Sequence, residues 1–160
     1  MSVIEQRLAT LEAKVRDLEA AQAIRATLSQ YAVAVDEKRP ERLRTLFAAD
    51  AVVRIPAWNV NVAGIDAVMA FYDTYWNRFD RPRRYFANED LRIAGSDATC
   101  FMYWHVTQER NGLPVLGWGT YDWQLRQLDG AWRIASVLIT ILAMTTLAAG
   151  WGGANRFTDA

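Results

Sequence analysis

The chain has one cysteine, one histidine, four prolines and no net charge, and each shortage removes a class of reading. Cys100 alone cannot build an intrachain disulfide framework, which suits a reducing compartment and predicts a cytoplasmic protein. With one histidine and one cysteine, a transition-metal cluster would have to rely on carboxylates. No acid spacing resembles a calcium loop, so no metal site is expected. Eighteen acidic side chains balance eighteen basic ones, so neither nucleic acid nor an anionic membrane is expected as a partner. The longest apolar run, Val137 to Met144, is broken by Thr140 and is too short to cross a bilayer. The N-terminus has no uninterrupted apolar stretch of the signal-peptide kind. There is no GxGxxG, phosphate loop or nucleophile elbow on which a nucleotide or hydrolase reading could rest.

What is present is aromatic. Seven tryptophans, six tyrosines and six phenylalanines supply large contact areas that fill cores and line pockets. At 160 residues the chain is long enough to bury a substantial core as a single domain, read here as residues 1–150. Residues 151–160, opening with Trp151-Gly152-Gly153, read as an irregular tail.

The apolar period changes once along the chain. Ile4, Leu8, Leu11, Val15 and Leu18 recur at 4-3-4-3 spacing, and the pattern continues through Ile24, Leu28 and Val35. This predicts one long or kinked helix ending near Asp36. Two heptads are too few to claim a coiled coil, and this face is equally suited to the chain's own sheet or a neighbouring subunit. Pro40 opens a second short helix, residues 51–56 read as a short strand, and a third helix runs from about Ile65 to Phe79 with an aromatic-rich face. From Arg84 onward the texture is extended. Ser96-Asp97, Asn111-Gly112 and Asp129-Gly130 are turn signals that separate strands at about 84–94, 97–109, 114–127 and 131–145. Helices followed by an antiparallel sheet give an α+β architecture with the helices on one face.

Asp36 is the most informative single residue. It is a carboxylate at the negative end of a helix dipole, among otherwise core-like neighbours, where burial and the helix end favour its protonated form. Facing a dry cavity it would move protons near neutral pH. The plain alternative is a solvated Asp36 paired with Lys38 or Arg39.

The long helix with Tyr31 five residues before Asp36, the segment Leu43 to Asp50 as helix and turn, then Gly95-Ser96-Asp97-Ala98, Gly119-Thr120-Tyr121 and Asp129 to Ile134 resemble, in order and spacing, the SnoaL-like branch of the nuclear transport factor 2-like superfamily. Scytalone dehydratase, bile acid 7α-dehydratase and hexachlorocyclohexane dehydrochlorinase are similar to this chain in the helix ending at Asp36. The resemblance implies a cone-shaped barrel of a curved sheet enclosing one pocket with the helices, and cofactor-independent lyase chemistry in a homo-oligomer, a trimer more than a dimer. It also implies a carboxylate at Asp36 working with a histidine on the facing sheet. That histidine's usual strand is Arg84 to Ile93, where the register puts Phe86 or Asn88 at its place. The sole histidine, His105, stands on the next strand, sharing a face with Phe101, Tyr103 and Thr107, opposite Cys100, Met102 and Trp104. Matching this strand to the dehydrochlorinase-like enzymes turns the His105 face toward the pocket, unless a bulge inverts it.

The catalytic expectation is therefore Asp36 as base with His105 or Tyr31 as donor. Tyr103, Tyr121, Asn88, Arg84, Phe86 and Phe101 are the candidate substrate-binding residues. Arg84 belongs to the basic cluster Arg81-Pro82-Arg83-Arg84, ordinarily a solvated face, but turned inward it would hold an anionic intermediate. The substrate expected is a small apolar, aromatic molecule. It would undergo dehydration or a retro-aldol-like carbon–carbon cleavage such as formaldehyde release. The alternatives are an isomerase or cyclase of the ketosteroid isomerase or polyketide cyclase type, and a non-catalytic module that binds a hydrophobic ligand.

Overall fold

A computed structural model of the chain describes residues 2–150, so the expected tail at 151–160 lies outside the described residues. The first helix, α1 (Val3–Asp36), is unbroken because no glycine or proline interrupts it. Its start is fixed by a capping box: the Ser2 side chain accepts from the Glu5 N–H, and the Glu5 carboxylate accepts from the Ser2 N–H. It stops where Lys38 takes a left-handed φ of 51° and Pro40 forbids a continuous turn. Pro40 then starts α2 (Pro40–Leu46). Strand β1 (Phe47–Ile55) follows directly, so the chain is already extended where a helix and turn were expected as far as Asp50. A 3₁₀ turn (Pro56–Trp58) and a short strand β2 (Val60–Ala63), which the sequence pattern did not reveal, lead into α3 (Ile65–Arg78).

Four long strands complete the chain: β3 (Asp80–Ala94), β4 (Asp97–Arg110), β5 (Leu113–Leu128) and β6 (Ala131–Thr146). Asn111-Gly112 and Asp129-Gly130 each place both residues at positive φ, as two-residue hairpin turns require. The sheet order is β2-β1-β6-β5-β4-β3. All neighbours are antiparallel except β1 and β6, which pair in parallel, so the sheet is mixed rather than wholly antiparallel. It curves around the helices without closing, with β2 and β3 as its edges.

The helices cover the concave face, α1 against β3 and β6, and α3 against β1 and β2. One hydrophobic core results. It runs from Ile24, Leu28 and Tyr31 of α1, through Tyr72 and Trp76 of α3, to Trp104, Tyr121, Trp123 and Ile134 of the sheet. Each such large side chain contributes roughly 1.5–3 kcal/mol by leaving water. Among the described residues no helix is long and apolar enough to cross a membrane.

Candidate functional site

An aromatic pocket opens between the helices and the concave face. Tyr31 of α1, Phe71, Tyr72 and Tyr75 of α3, and Trp58 of the 3₁₀ turn supply its helical side. Arg84, Trp104, Val106, Gln108 and Tyr121 supply the sheet side with Ile139, Ile141 and Met144 of β6, and Ile55 of β1 completes the lining. Trp104 can lie flat over β5 because Gly119 faces it. A Cβ there would collide with the Thr140 carbonyl, to which the Trp104 indole N–H donates at 3.3 Å. The cavity volume is ≈ 40 Å³, room for a few water molecules at roughly 10–15 Å³ each. An aromatic ligand therefore has to displace side chains. Trp58, Phe71, Ile141 and Met144 are the half-buried apolar members of the lining, where the pocket meets solvent.

The polar groups of this pocket form one chain. Arg84 donates from Nε to Asp36 Oδ1 at 2.6 Å and from its backbone N–H to Asp36 Oδ2 at 2.8 Å, and both side chains are buried, at 6% and 8% exposure. The field of the helix end around Asp36 is thus met by two donors. From its other nitrogens Arg84 reaches Tyr75 Oη at 3.0 Å and Tyr121 Oη at 3.4 Å. The Tyr75 hydroxyl in turn donates to Gln108 Oε1 at 2.7 Å. Because the Tyr75 oxygen already accepts from Arg84, its hydrogen must point to the Gln108 carbonyl, and this fixes the amide. Gln108 Nε2 is left as a buried donor without a partner. On the opposite wall Tyr31 and Tyr72 share a hydrogen bond of 2.8 Å, and Tyr31 lies 3.5 Å from Tyr121.

Burial pushes the hydroxyls of Tyr31, Tyr72 and Tyr121 well above the ordinary tyrosine range and that of Tyr75 upward as well, so at neutral pH they are O–H groups, able to donate as well as accept. Burial opposes the Arg84 charge, but the surrounding tyrosine oxygens and Asp36 outweigh it and hold its pKa above the ordinary guanidinium value. Such an arginine cannot serve as a base. The site is a set of donors with one carboxylate behind it.

The structure brings together Asp36, Tyr31, Arg84 and Tyr121 of the expected residues. Lys38 is occupied with the Trp76 carbonyl and Asp80, so the surface pairing of Asp36 with Lys38 or Arg39 gives way to the buried pair with Arg84. The residue of β3 that faces Asp36 is Arg84, not Phe86 or Asn88. Phe86 packs behind the lining on Tyr31 and Tyr121, with ring centroids at 6.5 and 5.2 Å. Asn88 sits exposed in the bulge between Ala87 and Asp90 at a φ of 57°.

The face of β4 is also corrected. Trp104, Val106 and Gln108 point into the pocket, which puts Phe101, Tyr103 and His105 on the convex side. His105 pairs with Tyr85 across the β3–β4 ladder there, and Tyr85 is exposed. Sequence reasoning missed Tyr72, Tyr75 and Gln108. The two tyrosines lay within the aromatic face of the third helix, and Gln108 continues the Cys100, Met102, Trp104, Val106 alternation, so both signals were present. Among the described residues no three His, Cys, Asp or Glu side chains gather as a metal-ligand set.

A family model described as SnoaL-like domain matches residues 16–137. No curated protein matches the chain in sequence. Among solved structures, hexachlorocyclohexane dehydrochlorinase LinA-type3 from Novosphingobium barchaimii is 17% identical over 86% of this chain and 96% of its own, with a TM-score of 0.79. A scytalone dehydratase-like protein from Novosphingobium aromaticivorans is 20% identical over 90% and 97%, with a TM-score of 0.75. An NTF2-like protein with a cystatin-like fold from the same organism is 21% identical over 84% and 90%, with a TM-score of 0.73. At these identities the likeness is one of fold.

Proposed function

The chain belongs to the SnoaL-like domain family, and from that premise we propose that it is a lyase acting on a small aromatic molecule that carries an oxygen. The observation that carries this reading is the buried Asp36–Arg84 pair at the wall of an aromatic pocket, extended by tyrosine hydroxyls. The neighbouring folds include a dehydrochlorinase and a scytalone dehydratase-like protein, which supports lyase-type chemistry in general terms.

In the proposed reaction a phenolic or carbonyl oxygen of the substrate takes the Arg84 nitrogens that now face Tyr75 and Tyr121. Asp36 lies behind Arg84 as seen from the cavity. Drawing the guanidinium inward frees Oδ1, and Asp36 takes a proton from a carbon or hydroxyl of the substrate. In loss of water Asp36 takes the proton from carbon, the C–H pair collects as an oxyanion held by Arg84 with Tyr121 and Tyr75, and its collapse expels hydroxide with the C–O pair, to which Asp36 returns the proton as water leaves. In retro-aldol release of a one-carbon aldehyde Asp36 takes the hydroxyl proton, the carbon–carbon bond breaks as the aldehyde forms, and the pair left on the ring fragment is held as an oxyanion by the same donors until Asp36 returns the proton to it. Gln108 Nε2, the donor without a partner, holds a second substrate oxygen.

The test is a panel of phenolic and carbonyl aromatic alcohols, followed both by quenching of pocket tryptophan fluorescence and by product mass. Turnover by the wild type is expected, with kcat falling about 10²–10⁴-fold in Asp36→Asn while Kd stays within a few-fold. His105→Ala should retain activity. A product of unchanged mass would assign an isomerase or cyclase instead, and tight binding without any product would assign a ligand-binding module.

A further inference from the structure

We propose that residues 4–19 of α1 form a parallel, in-register, two-stranded coiled coil with a second copy of this chain. Ile4, Leu8, Leu11, Val15 and Leu18 make an apolar stripe at heptad spacing, and every one of them is more than half exposed. The same helix buries Ile24, Leu28, Tyr31 and Val35 in its own domain. At about 100° per residue these two stripes lie on roughly opposite sides of the helix. The domain therefore turns the first stripe outward and does not cover it.

The charges beside the stripe select the occupant. Written as a heptad with Leu8 and Val15 at a, and Ile4, Leu11 and Leu18 at d, the e positions are Glu5, Glu12 and Glu19, and the g positions include Arg7 and Lys14. In a parallel pair, g of one helix meets the following e of the other. Arg7 then faces the partner's Glu12, and Lys14 faces the partner's Glu19. An antiparallel pair would set glutamates against glutamates and bases against bases. Glu5, which has no such mate, is spent on the Ser2 cap. The stripe is thus complementary to itself in one orientation only. Val15 at a with Leu11 and Leu18 at d is the two-stranded combination, and only the first heptad, with Ile4 at d and Leu8 at a, has the combination of larger bundles. A free peptide of two heptads would be a marginal helix, too short to assign to a coiled coil from its spacing alone. Here the helix is already nucleated by its buried half and capped at Ser2, so little ordering remains to oppose association.

The test uses the full chain in sedimentation equilibrium, with helicity checked by circular dichroism. The wild type is expected to dimerise. Arg7→Glu with Lys14→Glu should weaken the dimer at least tenfold, and adding Glu12→Arg with Glu19→Arg should restore it. Leu11→Cys should form an interchain disulfide under mild oxidation, because parallel register brings the two d positions together. A monomeric wild type, an association indifferent to the charge reversal, a three-chain mass lost with the same variants, or failure of Leu11→Cys to cross-link would overturn the proposal. The last result is what residues 151–160 or a foreign partner lying on the stripe would give.

Discussion

Strand β4 presents two different surfaces from one sequence. On its concave side Cys100, Met102, Trp104, Val106 and Gln108 are buried against helices and pocket. On its convex side Phe101, Tyr103, His105 and Thr107 remain partly open to solvent. The convex side is the richer in rings and both carry a polar residue suited to chemistry, yet only Gln108 joins the pocket. The difference teaches that a strand's parity decides function before residue type does: a histidine displaced by one position is removed from the site altogether.

The largest way to strain this contrast is alkali. Four of the six tyrosines line the concave pocket, and burial raises the pKa of each. A raised folded-state pKa means that stability is intact below the unfolded tyrosine value of about 10 and is lost as pH climbs above it, since the unfolded chain then releases protons the native state retains. Denaturant melts between pH 9 and 12 should show stability falling, with a limiting slope of about 5 kcal/mol per pH unit. Absorbance at 295 nm should show these four phenols ionising only as the chain unfolds.

Truncation of one ring on each face comes next. Trp104→Ala should cost about 3–5 kcal/mol because it empties the space over Gly117 and Gly119. Tyr103→Ala, which removes a side chain 45% exposed, should cost about 1 kcal/mol or less. Urea melts of the two variants measure the ratio, and equal losses would mean that the faces do not differ as described. Small in stability and most specific in effect is Gln108→Leu. It deletes a buried amide whose nitrogen has no partner but whose oxygen accepts from the Tyr75 hydroxyl, and relief of the first partly offsets loss of the second, so stability should fall by about 1 kcal/mol. Ligand affinity measured by fluorescence should fall at least tenfold.

The long elements were legible in the sequence because period and turn chemistry agreed. The 4-3-4-3 stripe lies within α1, and Pro40, Asn111-Gly112 and Asp129-Gly130 fall where the structure puts them to use. Strand β2 was not, since four residues carry no period. Nor was the early start of β1, where Leu43 and Leu46 still follow helical spacing but Phe47 already belongs to the sheet. At the site, Asp36, Tyr31 and Tyr121 were found from their place in the chain order. The expected face of β4 was the wrong one although the residues carry the signal: Met102, Trp104 and Val106 form the drier side, and the drier side faces the core. Arg84 sat in a run of basic residues whose usual place is water. Only the carboxylate brought to it from 48 positions away shows why it is buried.

The parallel pairing of β1 with β6 also sets an order of events. Register pairs such as Val53 with Val137 and Arg54 with Leu138 join residues 84 apart. β1 with β2, and β3 with β4 and β5, can pair as soon as each hairpin exists, but only β6 holds the two groups in one sheet. A nascent chain emerging from the ribosome therefore carries two unconnected half-sheets with open edges until its last strand is made. Long-range pairing of this kind is slow, and exposed edges recruit other chains in the interval. The final sixteen-residue strand is thus the closing step of folding, and truncated chains that end before Ala131 are the ones most prone to aggregate.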